Sequence, residues 1–254
     1  MTSLVGLSAL EFGNPYLPQI PEQGIWTPEN AWAGLKIGYV GEWIYDRKLE
    51  VKRPHAGFYQ RVDQFETWSH LAQMAVNLGQ RFQFYGQVGT MKAIVDQQPL
   101  KGFCFKYETK SQFAGGFGAR ILLIEWSHFA IGANANGIVS WMDIDQMSQN
   151  GEAIQPKNAF IQFKDWQIGG NLGANLDPFI PYIGLCYQSA TAKLKDLPKL
   201  AAYRFDSDPR KLKARTHVVL FGGIGLTLQR GFDLNLEVRM IGEIGGSMAI
   251  DLKF

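Results

Sequence analysis

Apolar and polar side chains alternate with a period of two along most of this chain, and that alternation limits its fold more than any other feature. In the segment 231–240 one face is entirely apolar and the other carries charged and amide side chains. The final segment, 247–254, repeats the arrangement, while a helical period is almost absent. A period of two is typical of strands with one apolar face, so the sequence predicts an all-β, antiparallel protein.

Ten segments show this pattern, and the links between them alternate in length. The segments are 32–47, 64–78, 81–95, 113–124, 127–141, 157–176, 179–193, 215–228, 231–240 and 247–254. Short links lie at 79–80, 125–126, 176–178 and 229–230, and long polar links lie at 48–63, 96–112, 142–156 and 194–214. Short periplasmic turns and long extracellular loops are the layout of outer-membrane barrels. The sequence therefore predicts an antiparallel transmembrane β-barrel of about ten strands, with twelve as the alternative.

The charge balance and hydropathy fit this fold. The 254 residues carry 25 Lys and Arg against 23 Asp and Glu, so the net charge of +2 does not point to nucleic acid. No window holds the about eighteen consecutive apolar residues of a membrane-spanning helix, whereas a barrel strand needs only about ten alternating residues. Residues 1–6 lack the basic start and apolar core of a signal peptide, and we expect that such a peptide has been removed.

A water-soluble β-sandwich or a lipocalin-like barrel that carries an apolar ligand is the competing interpretation. Two features favour the membrane. The polar faces are rich in Gly, Asn, Gln and Ser, whereas a soluble surface favours Lys and Glu. Six aromatic residues lie near strand ends, where an interfacial girdle is expected: Trp43, Tyr45, Trp68, Trp141, Trp166 and Tyr187.

Several stretches, in one order along the chain, resemble the major outer membrane porin family of chlamydiae and related bacteria. Residues 13–15 (Gly-Asn-Pro) and Trp26 precede 35–47, whose Gly-Tyr-Val-Gly core and closing Asp-Arg are similar to the first strand of that family. Residues 72–84 are similar to its second hairpin. The later similar stretches are 118–120 (Gly-Ala-Arg) with Glu125, 165–167 (Asp-Trp-Gln), 181–184 (Pro-Tyr-Ile-Gly), 238–241 (Val-Arg-Met-Ile) and 252–254 (Leu-Lys-Phe).

The resemblance implies a β-barrel porin at the bacterial cell surface. This chain is shorter than the family pattern, its loops are trimmed, and it lacks the family's many cysteines. In the family, exposed cysteines form intermolecular cross-links, and only Cys104, in a long link, matches that role here. Cys186 lies on an inward strand face, and we expect both cysteines to be unpaired.

Ten charged residues fall on the faces that are expected to point away from lipid, where they would form a pore lining. They are Lys36, Glu42, Arg81, Arg120, Asp165, Asp233, Glu237, Arg239, Asp251 and Lys253. Facing lipid, each would cost up to a few kcal/mol near the bilayer midplane. They predict a narrow polar lumen that filters solutes by size and weakly by charge, in which Arg81, Arg120 and Arg239 are the candidates for binding an anion.

Small residues on the same faces predict open space in the lumen. They are Gly38, Gly118, Gly169, Gly173, Gly184 and Gly223. The alternative is an interior salt-bridge network that fills the barrel, because ten strands lie near the filled end of the range of barrel sizes.

No catalytic constellation emerges from the sequence. The four histidines, His55, His70, His128 and His217, are scattered, and residues 222–225 (Gly-Gly-Ile-Gly) lie within a strand pattern without completing a dinucleotide fingerprint. We therefore expect no enzyme activity, no cofactor and no metal.

The predicted organisation is a barrel at 32–254 after an N-terminal segment at 1–31. Four prolines make that segment a poor strand, so it lies in the periplasm or folds into the lumen. The predicted function is passive diffusion of small hydrophilic solutes across the bacterial outer membrane. The alternative is a non-conducting structural or adhesive surface barrel that acts through its extracellular loops. Outer-membrane lipids and small hydrophilic solutes are the expected partners, with a homo-oligomer left open and nucleic acid excluded.

Overall fold

The computed structural model describes residues 13–20, 31–52, 61–198, 210–228 and 231–254, and most of them lie in one antiparallel sheet. The strands are β1 (Ala33–Arg47), β2 (Leu49–Val51), β3 (Arg61–Leu78), β4 (Phe82–Leu100), β5 (Phe103–Thr109), β6 (Gln112–Trp126), β7 (Phe129–Gln149), β8 (Glu152–Ile154), β9 (Phe160–Ala174), β10 (Phe179–Lys195), β11 (Lys211–Ala214), β12 (Val218–Leu228), β13 (Phe232–Met240) and β14 (Glu243–Lys253). The described residues contain no helix that is long and apolar enough to cross a membrane.

Ten of these strands close into a ring in the order β1, β3, β4, β6, β7, β9, β10, β12, β13, β14, and each pairs antiparallel with the next. The ring closes where β14 pairs with β1, from Lys36 opposite Lys253 to Arg47 opposite Glu243. Closure pairs the backbone groups of the ring and leaves it no free edge, so that weakly apolar strands can cross lipid. The predicted ten-stranded antiparallel barrel is confirmed.

The two ends of the barrel differ as the link lengths predict. Short turns at 79–81, 127–128 and 175–178 join strands at one end, here called the turn end. At the other end, the loop end, β4, β7 and β10 continue beyond the predicted segments, and four short strands extend the sheet. There β5 pairs with β4 and β7, β8 pairs with β7, and β11 pairs with β10 and β2. These extensions form an ordered lobe, where the sequence predicted only loops.

The alternation of side chains inverts between the turn-end part of the barrel and the lobe. On β10, the outer face changes from apolar residues at Ile183 and Leu185 to charged ones at Lys193 and Lys195. The inner face changes in the opposite sense, from Gln188 to buried alanines and a leucine at the strand end. Lipid surrounds the turn-end part of the barrel, and water surrounds the lobe. The period of two is the same in both, but the apolar face points outward in lipid and inward in water.

The lobe has an apolar interior. Its buried side chains include Phe65 and Phe163, whose ring centroids lie 5.6 Å apart, together with Tyr107 and Met142. This core is continuous with the loop-end half of the barrel interior, where Val40 and Leu71 belong to the same cluster. The loop end of the barrel is therefore closed by packed apolar side chains.

A β-bulge near the loop end of β1 changes which side chains point inward. The pairing of β1 with β14 shifts by one residue between Ile44 and Asp46. Strict alternation from Glu42 would place residue 46 on the inner face, but Asp46 is half-buried, and Arg47 is fully buried inside the barrel. The bulge inserts one residue into the strand, so every later side chain changes face.

Candidate functional site: the barrel interior

Two clusters of buried charges occupy the barrel interior. The upper cluster, toward the lobe, contains Glu42, Arg47, Asp165, Glu237, Arg239 and Glu243. Arg239 contacts Glu42 at 2.6 Å, Glu237 at 3.0 Å and Glu243 at 3.1 Å. Arg47 contacts Asp165 at 2.7 Å and Glu243 at 2.8 Å, so Glu243 joins the two arginines. With four carboxylates and two guanidinium groups, the upper cluster has a formal excess of negative charge.

One pair in the upper cluster crosses the barrel. Arg47 ends β1 and Asp165 lies on β9, and β9 is the fifth strand from β1 in either direction around the ring. A side-chain pair between opposite walls bridges the space through which a solute would have to pass.

The lower cluster lies nearer the turn end. The Asp233 carboxylate forms ion pairs with the ammonium groups of Lys253 at 2.7 Å and Lys36 at 3.3 Å. Asp251 accepts a hydrogen bond from Gln73 at 3.3 Å. Arg120 donates to Gln83 at 2.6 Å, and its guanidinium lies 4.4 Å from the ring centroid of Tyr85.

Nine of the ten charged residues that the sequence placed inward are buried inside the barrel: Lys36, Glu42, Arg120, Asp165, Asp233, Glu237, Arg239, Asp251 and Lys253. Arg81 is the exception, because it lies exposed in the turn before β4 and donates to the carbonyl of Leu123. Sequence reasoning missed Arg47 and Glu243. Arg47 follows the bulge, and Glu243 follows a tight connection in which Ile241 and Gly242 both have positive φ, so neither obeys a simple alternation.

The interior glycines do not border open space, in contrast to the prediction. A methyl group on Gly118 would overlap the ring of Tyr85, and one on Gly184 would overlap the ring of Phe221. A methyl group on Gly223 would overlap the ring of Tyr182 and the carbonyl of Leu236. Each ring belongs to the residue directly opposite on the neighbouring strand. A methyl group added to Gly38 would overlap Asp251, and one added to Gly173 would overlap Pro15. One added to Gly169 would overlap Cys186 and the neighbouring backbone. These glycines make room for larger neighbours rather than for solvent.

Residues 13–20 occupy part of the turn-end half of the interior. The Leu17 carbonyl accepts hydrogen bonds from Lys36 at 2.7 Å and Asn77 at 3.1 Å. At the other end of the segment, the Gly13 backbone amide donates to Glu237 at 3.0 Å and its carbonyl accepts from Asn171 at 2.6 Å. The segment is therefore tied to β1, β3, β9 and β13. The rest of the predicted segment 1–31, apart from residue 31, lies outside the described residues.

Tyr16 anchors the same segment at the turn end. Its hydroxyl donates to the carbonyl of His128 at 2.9 Å. Burial, and then the charge of Glu125, raise the pKa of Tyr16 above its usual value, so the hydroxyl keeps its proton and remains a donor.

Little of the described interior is accessible to solvent from outside the barrel. Side chains that would be wetted in an aqueous channel are almost fully inaccessible, with Glu42 and Arg239 each 1% exposed and Asp251 0% exposed. Apolar packing closes the loop end, and the charge clusters occupy the middle. Residues 13–20 lie in the turn end, where a cavity bordered by Leu17, Asp233 and Lys253 remains beside them. Loss of one partner from a buried ion pair leaves an uncompensated charge inside, so these side chains depend on one another.

Aromatic side chains form two rows on the outer face. The six predicted girdle residues, Trp43, Tyr45, Trp68, Trp141, Trp166 and Tyr187, lie on the outer face in the loop-end half. Trp43 is buried there, stacked on Tyr45, and is only 7% exposed. Sequence reasoning missed a second row beside the short turns, made of Trp32, Phe82, Trp126, Phe129 and Phe179. The separation of Trp32 and Trp43 along the chain is close to the about 9–11 residues that a tilted strand needs to cross a bilayer. The sequence signal for this second row is the aromatic residues that flank the short links.

Both cysteines are unpaired, as expected. Cys104 is exposed near the tip of the β4–β5 hairpin, and Cys186 is buried inside the barrel against Tyr182, Val219 and Phe221.

Comparison of the sequence with known proteins finds chlamydial porins. The chain is 22% identical to the major outer membrane porin of Chlamydia abortus over 293 aligned positions, which cover 79% of this chain and 75% of that protein. It is 20% identical to the major outer membrane porin, serovar L1, of Chlamydia trachomatis, covering 82% of this chain and 77% of that protein. No protein-family model matches the chain.

Comparison of the fold finds domains of bacterial autotransporters. The translocator domain of the autotransporter NalP from Neisseria meningitidis aligns with a TM-score of 0.41 and 10% identity, covering 89% of each chain. The β domain of the Bordetella autotransporter BrkA aligns with a TM-score of 0.39 and 9% identity, covering 88% of this chain and 99% of that one.

The resemblance to the major outer membrane porins is therefore confirmed at the level of distant sequence similarity. Together with the apolar outer face of a closed barrel, it places the chain in the bacterial outer membrane, with lipid as its surroundings.

Proposed function

We propose that the protein is a closed outer-membrane barrel that conducts no solute in this conformation and acts through the lobe that it holds outside the membrane. The observation that carries the proposal is the filled interior, in which the Arg47–Asp165 pair joins opposite walls. A barrel of ten strands has little interior space to begin with, because about eight strands are filled by side chains alone. The similarity to porins rather than to enzymes supports a role without catalysis.

The lobe supports this proposal independently. Its strands are paired and its core is apolar, so it is a folded surface domain and not a set of mobile loops. Strand β10 continues eight residues beyond Tyr187, or about 26 Å along the strand. A barrel that only conducts solutes has no need of such a structure, whereas a structural or adhesive protein presents its contact surface on it.

Passive diffusion of small hydrophilic solutes is the second candidate. It is favoured by the similarity to proteins named as major outer membrane porins. Displacement of residues 13–20 would expose polar side chains such as Lys36 and Asn77 at the turn end. The apolar core at the loop end would still have to open, so conduction requires two rearrangements.

Planar-bilayer conductance of the refolded full chain tests the proposal. Heat-modifiable migration in gels shows first that the barrel has folded. A folded, inserted protein is expected to give no conductance steps, and a variant that lacks residues 1–31 is expected to stay silent because the loop-end core remains. Reproducible steps from the intact chain would establish diffusion and overturn the closed barrel. Steps from the shortened variant alone would make the N-terminal segment 1–31 the plug of a channel.

A further inference from the structure

A group of lysines lies on the outer face of the lobe, directly above the membrane-facing aromatic residues. Lys164 on β9, Lys193 and Lys195 on β10, and Lys211 and Lys213 on β11 all point outward; these five residues are the lysine patch. The three strands are neighbours, with Thr191 opposite both Lys164 and Lys213, and Lys193 opposite Lys211. The patch is therefore one continuous surface.

Carboxylates are scarce on this surface. Within β9, β10 and β11 the single acidic residue is Asp165, and it points into the barrel. The exposed Asp196 directly follows Lys195 at the end of β10. Lys213 pairs with Glu50 of β2 at 3.1 Å, but no carboxylate of the described residues pairs with Lys164 or Lys193. Elsewhere on the lobe, Lys92 pairs with Glu108, and Lys110 pairs with Asp145 at 3.4 Å. The excess of positive charge thus belongs to this face and not to the whole lobe.

The rings of Trp166, Tyr187 and His217 pack together on the membrane side of the lysine patch; these three residues are the aromatic floor. The ring centroids of Trp166 and Tyr187 lie 5.4 Å apart, and those of Tyr187 and His217 lie 5.1 Å apart. Lys164 is two residues above Trp166 on the same face of β9, or about 7 Å along the strand. Aromatic side chains of this kind mark the level of lipid headgroups, so the ammonium group of Lys164 reaches the headgroup layer of the outer leaflet.

We propose that the lysine patch binds the phosphorylated headgroup of an outer-leaflet lipid, whose acyl chains lie against the apolar face below the aromatic floor. Lysines near a membrane surface attract anionic headgroups, and a lysine ammonium binds phosphate as a point charge. The bound lipid would fix the orientation of the lobe above the membrane.

Titration of bisphosphorylated lipid A into the full-length protein in neutral detergent tests the proposal, with binding followed by native mass spectrometry. The variant carries Lys164→Gln, Lys193→Gln and Lys195→Gln. The matched control carries Lys101→Gln, Lys106→Gln and Lys110→Gln, which remove the same charge from exposed positions at the β4–β5 hairpin and just after β5. Heat-modifiable migration verifies that both variants fold.

The patch variant is expected to bind about a hundredfold more weakly, since each lysine near a membrane surface contributes about fivefold. The control is expected to bind within about twofold of the unchanged protein, and dephosphorylated lipid A is expected to bind weakly to all three. Equal losses in the two variants, or equal binding of dephosphorylated lipid A, would overturn the proposal. Displacement of lipid A by millimolar inorganic phosphate would instead make the patch a site for free phosphate and would overturn its assignment to lipid.

Discussion

The Arg47 Nη1 and Asp165 Oδ2 atoms lie 2.7 Å apart, although the two residues stand on opposite walls of the barrel and 118 positions apart in the sequence. The β-bulge after Ile44 turns Arg47 inward, and Gln188 donates a further hydrogen bond to the same carboxylate oxygen at 3.0 Å. The contact joins strands that share no backbone hydrogen bonds. It therefore resists both widening of the barrel and passage of a solute through its middle.

Removal of Arg47 is expected to destabilise the barrel strongly. Arg47→Ala leaves Asp165 and Glu243 buried with less compensating charge, and breaking a buried pair in this way costs about 3–5 kcal/mol. Urea unfolding of the protein in lipid vesicles measures the loss. Arg61→Ala is the control, because the Arg61 side chain is 61% exposed in its pair with Asp63 and such pairs contribute about 1 kcal/mol or less. Similar losses in the two variants would contradict a structural role for the buried pair.

Cys186 is a natural reporter of water in the interior. In a variant with Cys104→Ser, a water-soluble maleimide is expected to leave Cys186 unmodified while the barrel is folded and to modify it after unfolding, because Cys186 is packed against Phe221 and Tyr182. In the unchanged protein, the exposed Cys104 is expected to react quickly. Reaction of Cys186 in the folded variant as fast as that of Cys104 would show that water fills the lumen.

The close fit of Gly118 under Tyr85 makes a further prediction. Gly118→Ala would force the ring away from its position, and overpacking of this kind costs about 1–3 kcal/mol. Gly86→Ala on β4 is the control, since nothing lies within 4 Å of the added methyl group there. Unfolding in urea compares the two. If Gly118→Ala is tolerated as well as Gly86→Ala, the interior has the open space that the glycines first indicated.

The sequence predicted the ring of ten strands, and for most strands it predicted which side chains point inward and which point outward. It did so because a period of two is present in every strand that crosses lipid. It did not predict the lobe. Above the membrane the period is the same and only the solvent differs, so Phe163 and Lys164 in the lobe follow the same alternation as Ile168 and Asn171 in the membrane. Alternation alone does not say which face is inside.

Two other features of the interior depend on contacts that a linear pattern does not contain. Arg47 replaces Asp46 inside the barrel because of one extra residue in β1, which leaves no mark in composition. Prolines showed that residues 13–20 would not form a strand, but their position follows from partners as distant as Glu237 and Asn171. The small size of Gly118 or Gly184 is equally compatible with open space and with a neighbouring ring, and only the fold decides between them.

Loss of apolar packing at Phe163 should weaken the lobe more than the membrane part of the barrel. Phe163 is 1% exposed, stacks on Phe65 and lies 5.3 Å beneath the guanidinium of Arg47. Phe163→Ala would leave a cavity in that core at a cost of about 3–5 kcal/mol, and the transmembrane strands would keep their own contacts with lipid. Limited proteolysis in detergent is therefore expected to cut the lobe of this variant faster while heat-modifiable migration persists. Phe117→Ala, at a side chain 76% exposed on the lipid face, makes no such cavity and should leave the lobe as resistant as before. Equal cleavage of the two variants would mean that the lobe does not depend on its apolar core, and it would weaken the view of the lobe as a folded surface domain.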